Sequence, residues 1–147
     1  ELDLDMERFE QQGWRHRVPA GFRVQRYGRA LATGLGLEAF WGSLDRFLAR
    51  GYGFAVLHGD EVVSRCHTVV VGDGRAEISI ETTEPYRRQG LGGLAACAFI
   101  EHSLEQGTRP VWSCWSTNTP SVRMAQKLGF ATQADVPVLY VPSVPTP

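Results

Sequence analysis

Apolar and polar residues alternate through Phe22-Arg23-Val24-Gln25-Arg26-Tyr27, the two-residue period of a half-buried strand. Over residues 37–50 the period changes. Leu37, Phe40, Trp41, Leu44, Phe47 and Leu48 recur at spacings of three and four and predict one amphipathic helix, with Gly51 as its stop. Residues 52–57 and 62–71 read as strands, and the short Gly59-Asp60 link predicts an antiparallel hairpin. Gly72-Asp73-Gly74 then turns the chain into a third strand over 76–83. A helix over 90–106 carries Leu91, Leu94, Ala95, Ala98, Phe99 and Leu104. Residues 110–115 predict a strand. Residues 121–128 predict a helix, with Asn118 or Thr119 as its cap and Pro120 in its first turn. Two last strands are predicted over 130–133 and 136–141, and the Pro-rich end reads as frayed.

A chain of 147 residues with 43% hydrophobic content suits one domain around one core. The formal net charge of −1 carries no bias toward nucleic acid or an anionic membrane, so neither is expected as a partner. No apolar run approaches the roughly 18–20 residues that span a bilayer. The acidic start Glu1-Leu2-Asp3-Leu4-Asp5 lacks the apolar run of a signal peptide. Cys66, Cys97 and Cys114 are odd in number and widely spaced, without a C-x-x-C pair. That argues against a disulfide framework or a zinc site and predicts reduced thiols, no metal and a cytoplasmic location. The chain does not open on Met, so a trimmed form, a processed product and the C-terminal part of something longer all stay open.

The chemistry concentrates in Arg87-Arg88-Gln89-Gly90-Leu91-Gly92-Gly93, between a predicted strand and a predicted helix. A Gly-rich loop there exposes backbone N–H groups at a helix N-terminus, where orphan donors and the helix dipole favour an anion. Arg87 and Arg88 add positive charge. This is not a Walker A loop, since no G-K-[ST] follows, and the dinucleotide fingerprint G-x-G-x-x-G is absent. A tight turn with solvated arginines is the alternative. A second segment, Asn118-Thr119-Pro120-Ser121 through Lys127-Leu128-Gly129-Phe130, weighs against it.

Together the two segments resemble the GCN5-related N-acetyltransferases, the GNAT superfamily. Arg87, Gly90 and Gly92 fit its R/Q-x-x-G-x-G/A cofactor loop. Asn118, Ser121, Gly129 and Phe130 fit the helix that opens on Asn and closes on Gly-Phe. The likeness is closer to a less-studied bacterial branch, in which a strand like Glu77-Ile78-Ser79-Ile80-Glu81-Thr82 precedes the loop and a Trp-rich strand like Trp112-Ser113-Cys114-Trp115 follows the central helix. The resemblance implies a mixed α/β fold: a mostly antiparallel sheet of about seven strands, splayed between its fourth and fifth and flanked by helices. It places the domain at 21–142, with 1–20 as an extension or the tail of an upstream region and 143–147 as a frayed tail.

The implied activity is acetyl-CoA-dependent N-acetyl transfer to a primary amine of a small molecule or peptide. The implied cofactor contacts are Thr82, Thr83, Arg87, Arg88, Gln89, Gly90, Leu91, Gly92, Gly93, Asn118, Ser121 and Lys127. Thr82 and Thr83 would offer free backbone groups to the pantetheine amides. Ordinary β-propensity, helix capping and a basic helix face (Arg123, Lys127) explain several of these residues without a ligand. Glu77, Ser79 and Glu81 alternate onto one strand face. Glu81 is the first candidate for base and Glu77 the second, working through water, while pairing with Arg65 is the competing role for these carboxylates. Many superfamily members carry a Tyr seven residues after the helix-opening Asn; here Ala125 stands there. Tyr140, Ser116 or water would replace that acid, or none is needed. The gap also supports a catalytically silent acyl-CoA sensor as the alternative function. His67 reads as a hydrogen-bonded sheet residue, and Cys114 as a nucleophile without a His partner. Trp112 and Trp115 face opposite ways, one into the core and the other free to line a cleft. A second copy of the chain stays open as a partner.

Overall fold

The computed structural model describes residues 2–10 and 13–138. The elements run β1 (Leu2–Leu4), α1 (Met6–Glu10), β2 (Phe22–Arg26), α2 (Arg29–Ala32), α3 (Glu38–Trp41), α4 (Leu44–Arg50), β3 (Gly53–His58), β4 (Glu61–Gly72), β5 (Arg75–Thr82), α5 (Leu91–Glu105), β6 (Arg109–Val111), α6 (Thr119–Lys127) and β7 (Phe130–Thr132). Short 3-10 turns lie at Trp14–Arg17 and Glu84–Tyr86.

β2 to β6 form one five-stranded sheet in sequence order, and β1 pairs with β7 in a separate two-stranded ladder. The sequence predicts about seven strands in one sheet; among the described residues the one backbone bridge between the two ladders runs from Leu2 to Trp112. The first four strands of the large sheet are antiparallel, and β5 to β6 is parallel. That last pairing holds only for Arg75↔Arg109, Ala76↔Pro110 and Glu77↔Val111. Beyond Glu77 the two strands part. This is the splay that the resemblance implies between the fourth and fifth strands.

Side chains alternate across the sheet and meet two cores. On one face Val56, Cys66, Ala76 and Ile78 pack on α5, whose Leu94, Cys97, Phe99 and Ile100 are buried. α5 is apolar nearly all round because the sheet and the Trp14 turn cover most of it. On the other face Tyr27, Ala55 and Leu57 pack on α2, α3 and α4 through Ala32, Leu37 and Phe47.

Three expectations change. The single helix over 37–50 is two, because Gly42 takes φ 75 and Ser43 starts a new helix by accepting the Arg46 N–H. The strand over 110–115 narrows to Arg109–Val111, since β6 leaves β5 there. Residues 136–138 are not in a strand, and the rest of that predicted strand lies outside the described residues.

The stretch that the sequence sets apart as an extension is woven into the molecule. β1 pairs with β7 in the register Leu2↔Thr132, Asp3↔Ala131, Leu4↔Phe130. Leu2 and Phe9 belong to the larger core beside Trp112 and Phe130. Polar composition hides this, because only every second residue of so short a strand need be apolar.

Candidate active site

The loop after β5 is built by three local devices. Gly90 takes φ 81 and serves as the N-cap of α5, and Arg88 also sits in the left-handed region at φ 62. Such a backbone costs a non-glycine residue roughly 1–2 kcal/mol, so the surrounding structure must hold Arg88 there. Arg87 folds back on the strand, and its Nε donates to the Thr82 carbonyl at 3.0 Å. Gln89 Nε2 donates to the Pro85 carbonyl at 3.3 Å. The first bond inside α5 runs from the Leu94 N–H to the Gly90 carbonyl. The N–H groups of Leu91, Gly92 and Gly93 therefore have no acceptor within the helix. No acidic residue occupies the first turn of α5, so the positive end of its dipole stands beside Arg87 and Arg88.

Gly92 is a close-approach glycine. A Cβ there would lie 3.1 Å from Thr82 Oγ1 and 3.2 Å from Met124 Cε. Its absence lets α5, β5 and α6 meet at one point. A Cβ at Gly93 would meet nothing within 4 Å.

β5 supplies an open edge beside this loop. Thr83 spends both its N–H and its hydroxyl on the Val63 carbonyl, at 3.0 and 3.2 Å. The sequence expects Thr82 and Thr83 to share free backbone groups; the ladder separates them. In an antiparallel pair, alternate residues point their N–H and C=O away from the partner strand. With Thr83 and Glu81 turned to β4, Ile80 and Thr82 turn toward the gap left by β6. Sequence spacing does not single out Ile80, because which edge a residue faces depends on register.

Glu77, Ser79 and Glu81 lie on the face of β5 opposite α5. Glu81 stands in register with Arg65, whose Nε and Nη2 approach Glu81 Oε2 at 3.1 and 2.5 Å. Arg65 also donates to the Leu35 carbonyl. The competing role foreseen for the carboxylates is thus the one that Glu81 adopts. Among the described residues no group pairs with the Glu77 carboxylate, which sits at the last rung before the splay. Arg65, Glu81, Leu35, Val62 and Thr83 line a cleft of about 240 Å³ at the edge of the helical layer.

His67, in register with Ser79, is buried, and its Nδ1 has no hydrogen-bond partner among the described residues, contrary to the sequence reading. Burial, with Arg65 adding to it and Glu81 opposing, lowers its pKa to about 4, so its ring is neutral near pH 7. The Tyr27 hydroxyl is a second buried orphan, and burial pushes its pKa up. Burial likewise raises Cys66 well above the usual thiol range and Cys97 to about 11. Cys114 is partly buried beyond β6.

In α6, Asn118 Oδ1 accepts the Ser121 N–H at 3.3 Å, and Ser121 Oγ accepts from Trp112 Nε1 at 3.0 Å. Asn118 therefore caps the helix, and Ser121 ties it to the residue after β6. Arg123 and Lys127 are exposed on it. Ala125 is fully buried in the core. Trp112 is core and Trp115 is exposed, the division the sequence expects, although both lie beyond the end of β6. Tyr140 lies outside the described residues.

One more network flanks the loop. The Tyr86 hydroxyl donates to Glu61 Oε2 at 3.2 Å and sits 3.0 Å from His58 Nδ1. One phenolic proton cannot serve both, so His58 Nδ1–H is the donor in the arrangement that satisfies all three. His58 and Glu61 flank the β3–β4 turn, which ties the hairpin tip to the residue before Arg87. The sequence shows the turn but not this long-range tie.

A cationic Gly-rich helix start beside an open strand edge suits a phosphorylated, amide-bearing ligand, and the carboxylates stand on the other face of that strand. A family model described as GNAT acetyltransferase matches residues 5–139. The chain is 43% identical over 103 residues to the "Uncharacterized N-acetyltransferase YdfB" of Bacillus subtilis (strain 168), covering 70% of the chain and 40% of that protein. A GCN5-related N-acetyltransferase-like protein from Streptococcus suis 89/1591 superposes with TM-score 0.74 at 25% identity, over 88% of this chain and 53% of that one. The chain thus spans about half or less of the length of these two relatives. In fold alone it also matches a GNAT family acetyltransferase from Elizabethkingia anophelis with acetyl-CoA bound, with TM-score 0.62 at 18% identity, over 79% of this chain and 80% of that one. The chain belongs to the GNAT acetyltransferase family.

Proposed function

We propose that this chain is an acetyl-CoA-dependent N-acetyltransferase that moves an acetyl group to a primary amine of a small molecule or peptide by direct attack in a ternary complex. The observation that carries the reading is the loop at the start of α5, with three orphan N–H groups and two arginines beside the open edge of β5. The residues fit the cofactor: Gly92 removes the side chain that would separate α5 from Thr82, and no side-chain carboxylate stands in the first turn of α5.

When bound, acetyl-CoA supplies an acetyl group activated as a thioester. The N–H groups of Leu91, Gly92 and Gly93, with Arg88 and the Gly90 turn, hold the pyrophosphate. Arg87 and Gln89 brace the loop from behind through Thr82 and Pro85. Ile80 and Thr82 offer backbone groups to the pantetheine amides, and Thr83 supports them through β4. Asn118 and Ser121 set the opposite wall, while Lys127 serves a phosphate at longer range.

Glu77 is the proposed base. Glu81 is held by Arg65, whereas Glu77 sits at the apex of the splay with no partner among the described residues. Glu77 takes a proton from the acceptor ammonium, directly or through water, and leaves the neutral amine that can attack. Tyr140 is the proposed proton donor, since Ala125 carries no acid. Cytoplasmic location, with a small-molecule or peptide amine as partner, completes the proposal. No described helix is long and apolar enough to cross a membrane.

The second reading, a catalytically silent acyl-CoA sensor, is favoured by the buried Ala125 where an acid would stand. Acetyl-CoA consumption against a panel of primary amines, wild type beside Glu77→Gln, separates the two. Turnover that falls about 100-fold in the variant with cofactor affinity kept supports the enzyme. Cofactor binding without turnover of any amine supports the sensor.

A further inference from the structure

Among the described residues β7 pairs with no strand of the large sheet; its ladder partner is β1. β1 in turn reaches the large sheet through Leu2, whose N–H donates to the Trp112 carbonyl at 3.0 Å. The arm continues beyond the ladder. The Asp5 N–H donates to the Gly129 carbonyl at 2.8 Å, and Phe9 is buried in the same core as Trp112 and Phe130. Gly129 takes φ 102, and a Cβ there would lie 3.1 Å from the Asp5 carbonyl oxygen, so the turn after α6 is shaped to admit the arm.

Trp112 is the hinge of this arrangement. Its carbonyl receives Leu2, its ring packs on Phe130 at 5.5 Å between centroids, and its Nε1 donates to Ser121 Oγ. Ser121 is bonded to Asn118, and Met124 one turn later touches the space above Gly92. One continuous set of contacts therefore runs from Leu2 to the wall facing the Gly-rich loop.

We infer that the space between Trp112 and Phe130–Thr132 is a strand-binding slot, and that its occupant, the Leu2–Leu4 arm, sets acyl-CoA affinity by positioning Trp112, Ser121 and α6. The inference rests on the acyl-CoA reading of the loop. The arm's residues are positioning residues, since none of them reaches the loop. An empty slot exposes two strand edges and an apolar floor, which take an extended segment alternating apolar and polar residues.

The test uses the full chain carrying Leu2→Asp and Leu4→Asp together, read by hydrogen exchange across Phe130–Thr132 and by calorimetric titration with acetyl-CoA. The ladder is expected to open and the Kd to rise about tenfold or more, a loss on the scale of one packed wall contact. A peptide with the wild-type sequence of residues 2–9, added in excess, is expected to re-protect the ladder and restore affinity. The same peptide with both Asp substitutions is expected to do neither. If the double variant unfolds, Gly129→Ala gives the same readouts by crowding Asp5. An opened ladder with unchanged Kd overturns the inference, as does a re-protected ladder without recovered affinity. A wild-type chain that binds no acetyl-CoA but whose slot still exchanges arm for peptide sinks the acyl-CoA reading and leaves the slot standing without its role.

Discussion

Arg65 and Glu81 face each other across the β4–β5 ladder, with two guanidinium nitrogens on one carboxylate oxygen at 3.1 and 2.5 Å. The pair is half exposed, at 28% for Arg65 and 59% for Glu81. Its contribution to stability is therefore about 1 kcal/mol or less. Its larger consequence is positional, because both contacts turn the Glu81 carboxylate onto Arg65 across the ladder. Glu81→Gln is expected to change kcat by less than about fivefold, while Glu77→Gln lowers it about 100-fold. Steady-state kinetics of the two variants with one acceptor decide between them. A large loss confined to Glu81→Gln would reassign the base.

Gly92 tests close packing without backbone strain, since its φ is ordinary. Gly92→Ala places a methyl 3.1 Å from Thr82 Oγ1 and 3.2 Å from Met124 Cε. The Met124 tip can move and Thr82 cannot, because its hydroxyl is bonded to Ser64 Oγ at 2.8 Å. A loss of about 1 kcal/mol is expected from such overpacking, and Gly92→Val should cost about 1–3 kcal/mol. Urea unfolding measures both. Neutral substitutions would show that α5 is free to move off β5.

His67 makes stability depend on pH. Burial lowers its folded pKa to about 4 from 6.5. The unfolded chain therefore binds this proton first as pH falls. The His67 contribution is complete above about pH 6.5 and is lost progressively between pH 6.5 and 4, at no more than about 1.4 kcal/mol per unit. Replacing His67 with Gln should flatten the urea midpoint in that window relative to wild type. A wild-type midpoint already flat there would mean that the ring finds a partner or water in solution.

Tyr86 is expected to act on the loop rather than on the core. Tyr86→Phe removes the bonds to Glu61 and His58. Losing them at a half-exposed site should weaken acetyl-CoA binding about three- to fivefold. The melting temperature should barely move. A large melting shift with unchanged affinity would mark the network as part of the scaffold alone.

The hairpin, the strand into the loop, the long helix and the α6 cap are legible because each is specified by neighbours in sequence. Alternation gives β2, the Gly59-Asp60 pair gives the β3–β4 turn, and Asn118 and Pro120 give the start of α6. The split of the helix over 37–50 was within reach, since Gly42-Ser43 is a stop followed by a cap. What escapes is long-range. The Arg65–Glu81 pairing and the separation of Thr82 from Thr83 follow from register. The incorporation of Leu2–Leu4 follows from tertiary pairing that three residues cannot announce. The loop residues Arg87 to Gly93 stand where the motif places them, but the inward turn of Arg87 onto Thr82 depends on the folded strand.

The most direct test of the central claim is calorimetric titration of the chain with acetyl-CoA beside Gly90→Asp. That substitution puts a side chain on a backbone with φ 81 and a negative charge at the start of α5. Saturable one-site binding in the wild type, abolished in a variant that keeps its circular dichroism, is the predicted result. No binding by a folded wild type, or equal binding by both, would contradict the assignment of the loop as the acyl-CoA site.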